Sequence, residues 1–230
     1  MDECFGEKVT LVSKMGIGAM SILNRIASLQ NRRDDVPNQE LARELAATEN
    51  LYGINEIAQN LFNKDKNIQS DCIKVLYEVG YIKPELITQY THAFIKLLKG
   101  RDNRLVWGAM IALSEVAVLE ADAIFDNLQT IYSSMQKGSI ITIDNGIKVL
   151  AKVASRSDEY NKSIFPYLIN HLKNCRPKEV GQHAESISIT VNLLNKDEFI
   201  KVLKERESSL TNSQLARVKK LYKLLDRLVG

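Results

Sequence analysis

Apolar residues in this chain fall at helical spacing, and the blocks they form repeat. IKVLYEVG at 73–80, MIALSEVA at 110–117 and IKVLAKVA at 147–154 are displaced from one another by 37 residues without a gap. The preceding segments obey the same displacement. Ile57, Phe94, Ile131 and Leu168 share one column; Ala58, Ile95, Tyr132 and Ile169 a second; Leu61, Leu98, Met135 and Leu172 a third. Columns at i, i+1 and i+4 draw an apolar stripe along one side of a helix. A fixed period of this size marks stacked helical units, none of which buries its core alone.

Polar breaks separate the paired helices: NKDKN at 63–67, GRDN at 100–103 and KGS at 137–139. Longer turns lead to the next pair, as in YIKPE, where Pro84 suits a helix start. Strand-like alternation is absent. After Pro177 the columns fit only with a one-residue slip, and the pair at 197–228 is shorter. The chain therefore divides into an N-terminal capping region, residues 1–37, and a single repeat domain, residues 38–230. Val9, Leu11, Val12, Met15, Ile17, Met20, Ile22, Leu23, Ile26 and Leu29 make residues 9–29 too apolar to stay solvated. One or two helices there should pack on the pair that starts near residue 38, because an open solenoid end exposes core. GAMSILNRIA at 18–27 matches GAMIALSEVA at five of ten positions, which suits a diverged helix of the same kind.

The repeat resembles the HEAT class of armadillo-type α-solenoids, in which the second helix follows a loop Asp and reads V-R-x-x-A-x-x-A-L-x-x-I. The central repeat supplies Asp102, then Leu105, Ala109, Ala112, Leu113 and Val116; the one before supplies Asp65, Ile68, Cys72, Val75, Leu76 and Val79. Gln69, Val106 and Ile143 stand where the characteristic Arg falls. The resemblance covers residues 38–228 and implies an all-α, right-handed α-α superhelix of about five helical pairs. It also implies that the second helices line a concave face, where such proteins bind partners. Fold alone does not choose among binding tasks.

Trp107 is the only tryptophan. At 100° per residue, Leu105, Ala109, Ala112, Leu113 and Val116 cluster within about 80°, and Trp107 lies roughly 175° from their centre. Its repeat counterparts, Ser70 and Asp144, are polar. Trp107 is thus expected on the concave face with Met110, Ile111, Ser114 and Val118, flanked by Lys74 and Tyr77 on one side and Asp144 and Lys148 on the other. An aromatic anchor with a polar rim is what a protein or peptide site requires. Three occupants remain open: an external partner, a second copy of the chain, or residues 9–29 folded back. Armadillo proteins that bind extended peptides place an Asn one turn after a groove Trp; Ile111 stands there instead, so that mode is not expected.

Composition adds limits. With 45% hydrophobic and 26% charged residues, the 230-residue chain has ordinary globular balance. The net charge of +3 is too mild to demand nucleic acid, and the basic excess lies at the end, where residues 196–230 hold 9 Lys and Arg against 5 Asp and Glu. Cys4, Cys72 and Cys175 are odd in number and far apart, unlike a disulfide framework, so a cytoplasmic protein is expected. The acidic N-terminus is unlike a signal peptide, and the apolar run Met15–Leu23 is about half a membrane span. A monomer or weak homodimer without cofactors is expected.

The chemistry-bearing residues are sparse. His171 and Cys175 are one turn apart and His183 begins the next helix, yet a structural zinc site wants four ligands, so no metal is expected. GIG at 16–18 lacks a preceding strand and a phosphate-loop Lys. No Ser/His/Asp or Cys/His nucleophile arrangement is readable. Some HEAT-like solenoids are alkylpurine DNA glycosylases, and Trp107, Asp144 and Arg104 could share such a groove. One Trp and a terminal basic excess argue against duplex binding, which needs many phosphate contacts. The sequence thus reads as a non-catalytic protein-binding scaffold.

Overall fold

The computed structural model describes residues 21–229, which contain twelve α-helices and no strand. They are α1 (Val36–Thr48), α2 (Leu51–Gln59), α3 (Lys66–Ile82), α4 (Thr91–Leu97), α5 (Asn103–Val116), α6 (Ala121–Phe125), α7 (Leu128–Lys137), α8 (Ile140–Ala154), α9 (Asp158–Asn174), α10 (Pro177–Ile187), α11 (Lys196–Arg206) and α12 (Asn212–Leu225). Helices α3, α5, α8 and α10 begin at residues 66, 103, 140 and 177, each 37 positions after the last.

Local chemistry sets these starts. Asp65 caps α3 by accepting from the Asn67 amide at 2.7 Å, and Asp102 caps α5 by accepting from Arg104 at 3.0 Å. Ser139 caps α8 through Thr142, and Pro177 opens α10 in the first turn, where its missing N–H forfeits no intrahelical bond. The fourth start corrects the expected slip. Ala184 and Ile187 continue the buried columns Ile73–Met110–Ile147 and Leu76–Leu113–Leu150 in unbroken register.

The second helices stack in chain order, α1 on α3, then α5, α8, α10 and α12, as one layer. The first elements of each pair form the other layer, and one continuous apolar core runs between them from Ile26 to Leu225. Every predicted column residue of the first helices is buried except Tyr132, which is partly exposed and stacks on Tyr167 with centroids 4.2 Å apart. Phe125 and Tyr160 repeat that contact at 4.0 Å. Between α3 and α5 the approach is close: a Cβ on Gly108 would lie 3.0 Å from Ile73 Cγ1. Any larger residue there would have to push Ile73 aside.

At the N-terminal end the described residues form two short 3-10 turns, Ile22–Arg25 and Ser28–Gln30, which touch α1, α2 and α3. Ile26 between them is fully buried. Asn38, also fully buried, accepts from the Ala27 amide at 2.9 Å and donates to Asp71 at 2.8 Å, while Asp71 accepts from the Ser28 amide at 2.7 Å. Of the apolar residues expected in a cap, Val9, Leu11, Val12, Met15, Ile17 and Met20 lie outside the described residues. No helix among the described residues is long and apolar enough to cross a membrane.

Candidate functional site

Trp107 sits one turn into α5 and is partly exposed. Its ring lies 6.1 Å from Tyr77 of α3, centroid to centroid, and Tyr77 in turn meets Tyr81 edge-on at 5.8 Å. Tyr81 is 55% exposed, so the three rings form an aromatic strip whose ends reach solvent and whose middle is covered. Tyr81 carries no repeat signal in the sequence. Only its i+4 relation to Tyr77 could have found it.

Charged groups rim the strip in pairs. Lys74 Nζ lies 4.9 Å above the Tyr77 ring and bridges Glu78 at 2.7 Å and Asp35 at 3.4 Å. Burial pulls the Lys74 ammonium down, but the hydrogen bonds it donates to Glu78 and Tyr77 outweigh it and hold the group above its ordinary range. Burial likewise pushes the Tyr77 phenol up. On the other edge Lys152 faces Glu115 at 3.9 Å and donates to the Ser114 carbonyl.

The open face is narrower than expected. Met110 and Ser114 are fully buried, and Ile111 and Tyr77 are buried too, so none of the four lies open beside Trp107. A middle helix of a stack touches its hairpin partner and two neighbours along the layer, α3 and α8 here, which widens the buried arc. Beyond the exposed first residue Asn103, only a stripe through Arg104, Trp107 and Glu115 of α5 stays accessible. Lys148 is exposed and donates to Asn145 at 3.3 Å, and Val118 is exposed past the end of α5.

Asp144 engages another partner. Its Oδ1 lies 2.8 Å from Nε2 of His183, which is fully buried, and His183 Nδ1 lies 2.9 Å from His171 Nε2. Cys175 completes the group: the His171, Cys175 and His183 ligand atoms all lie within 4.8 Å of one another. Burial, aided by the neighbouring His183, holds His171 down to about 4, and burial pushes the Cys175 thiol up to about 11. The α9–α10 turn brings these side chains together, and α8 adds the carboxylate from the preceding repeat. The sequence showed the three ligand-type residues without their convergence.

Set against models of protein families and against curated proteins, the chain finds no match. Solved structures do resemble it. An engineered protein superposes with a TM-score of 0.64 at 18% identity, covering 91% of this chain and 96% of its own. A designed armadillo repeat protein in complex with the peptide (KR)4 gives 0.63 at 13%, covering 89% and 98%. Kap121p, in a mutant form, gives 0.63 at 16% over 85% of this chain and 21% of its own. The described residues have the fold of an armadillo/HEAT-like solenoid, an all-α superhelix of stacked helical pairs.

Proposed function

We propose that this protein is a non-catalytic scaffold that binds another protein through the face of its stacked second helices, anchored on Trp107. The observation that carries the reading is the partly exposed ring of Trp107 joined to Tyr77 and Tyr81, in a repeat column where Ser70, Asp144 and Gly181 are its counterparts. Large rigid aromatics gain contact area at little entropic cost, and the surrounding ion pairs give the rim its polarity. The partner segment we infer offers an apolar side chain to the Trp107–Tyr81 strip and charges to Lys74–Glu78 and Glu115–Lys152. The designed armadillo protein that holds a peptide supports a binding role for this architecture by analogy. The pairing of Lys74, Lys152 and Arg217 with acids counts against a phosphate-tracking groove. Free thiols at Cys72 and Cys175 accord with a cytoplasmic location, where we place the protein as a monomer or weak homodimer.

The test compares wild type with Trp107→Ala and Tyr81→Ala in affinity enrichment, then titrates any common partner against the intrinsic Trp107 emission. Loss of capture in both variants, with melting temperatures unchanged, supports the reading. Equal capture by all three proteins, or loss explained by unfolding, overturns it.

A further inference from the structure

We propose that His171 Nε2, Cys175 Sγ and His183 Nδ1 form a binding site for one zinc-class divalent metal ion, with Asp144 orienting His183. Two imidazole nitrogens and a sulfur are the donor set that borderline-soft metals select. The three donors lie within 4.8 Å of one another, and the two nitrogens are 2.9 Å apart. Ligands on a tetrahedral zinc at about 2.0–2.3 Å stand roughly 3.4 Å from each other. The nitrogens therefore need to part by about half an ångström and the sulfur to move inward.

The contact between His183 and Asp144 is the second, independent observation. With the carboxylate accepting from Nε2–H at 2.8 Å, a neutral His183 ring keeps its Nδ1 lone pair for the space shared with His171 and Cys175. A carboxylate on the far nitrogen is the usual outer partner of a metal-bound histidine. His183 also stands in the column of Cys72, Ala109 and Gly146, where the other repeats bury small residues. A fully buried imidazole there costs desolvation that an apolar residue would avoid. Nearby charge is mixed. Glu179, held by Arg176, adds negative charge, while the Arg206 guanidinium is engaged by the carbonyls of Leu172, Lys173 and Cys175. His171 is partly exposed and gives the ion an entry path.

Binding displaces the Cys175 thiol proton to solvent and shifts the His171 proton from Nε2 to Nδ1, so one proton leaves per ion bound. Three protein ligands leave the fourth position to water. The ion would tie α9 to α10 and, through Asp144, to α8.

Chelator-stripped protein titrated with Co2+ tests the site. The expected result is one equivalent bound, with the visible bands of tetrahedral cobalt and a sulfur-to-cobalt charge-transfer band, both lost on adding Zn2+. Cys175→Ser should remove the charge-transfer band, whereas Cys4→Ser and Cys72→Ala should keep it. Asp144→Asn should weaken affinity about 10- to 100-fold. His183→Ala risks unfolding, so His171→Gln and Cys175→Ser, each checked for cooperative melting, carry the test. Absence of the charge-transfer band in wild type, or its survival in folded Cys175→Ser, would overturn the proposal.

Discussion

The ring of Trp107 leans against that of Tyr77 at 54°, joining two helices one repeat apart. Since the chain has a single tryptophan, its fluorescence reports this contact alone. Partial exposure predicts emission between the buried and solvated extremes, with incomplete acrylamide quenching. Tyr81→Ala should shift emission to the red and raise the quenching constant. A fully blue emission, indifferent to quencher, would mean that another segment covers the face.

Leu113 is fully buried at the centre of the stack, as are its counterparts Leu76 and Leu150. Each Leu→Ala should cost about 2–5 kcal/mol, from lost transfer energy plus the cavity left behind. Urea melts followed by circular dichroism measure it. A cost below about 1 kcal/mol at Leu113 would contradict the packing described.

Gly108→Ala should destabilise the protein even though alanine favours helix, because its Cβ would press on both Cγ atoms of Ile73, at 3.0 and 3.1 Å. The expected penalty is about 1–3 kcal/mol, and it should be smaller in an Ile73→Ala background, where both Cγ atoms are gone. Additive effects in that double mutant would show that the two positions do not touch.

Asn38→Ala leaves the Ala27 amide without its acceptor and removes the Asn38 donor from Asp71. Orphaning a buried group costs about 1–3 kcal/mol. The loss should be local. Hydrogen exchange should quicken at Ala27 and Ser28 well before it changes in α8 or α10. Uniform acceleration across the stack would instead show that the N-terminal turns are integral to global stability.

The architecture was legible because each helix reports its own apolar stripe, and the 37-residue columns report that the stripes stack. Leu76, Leu113 and Leu150 needed nothing more. That Trp107 is less buried than Leu113 was legible by angle alone, since their opposition is a property of one helix. Met110 and Ser114 were misjudged for the complementary reason. Both are fully buried in a helix that packs on α3 and α8 as well as on α4, and a single helical wheel omits those neighbours. The meeting of Asp144 with His183 was hidden in the same way, because it spans 39 positions and two repeats.

Among the described residues, the side-chain hydrogen bond that reaches furthest along the chain joins Ser28 to Asp71 across 43 positions. Contact order is therefore bounded by the repeat and does not grow with the number of repeats. Pulled from its two ends, such a chain gives way in instalments of about one repeat each, starting where fewest neighbours support it. Force would then be borne as by a spring, with the middle repeats yielding last.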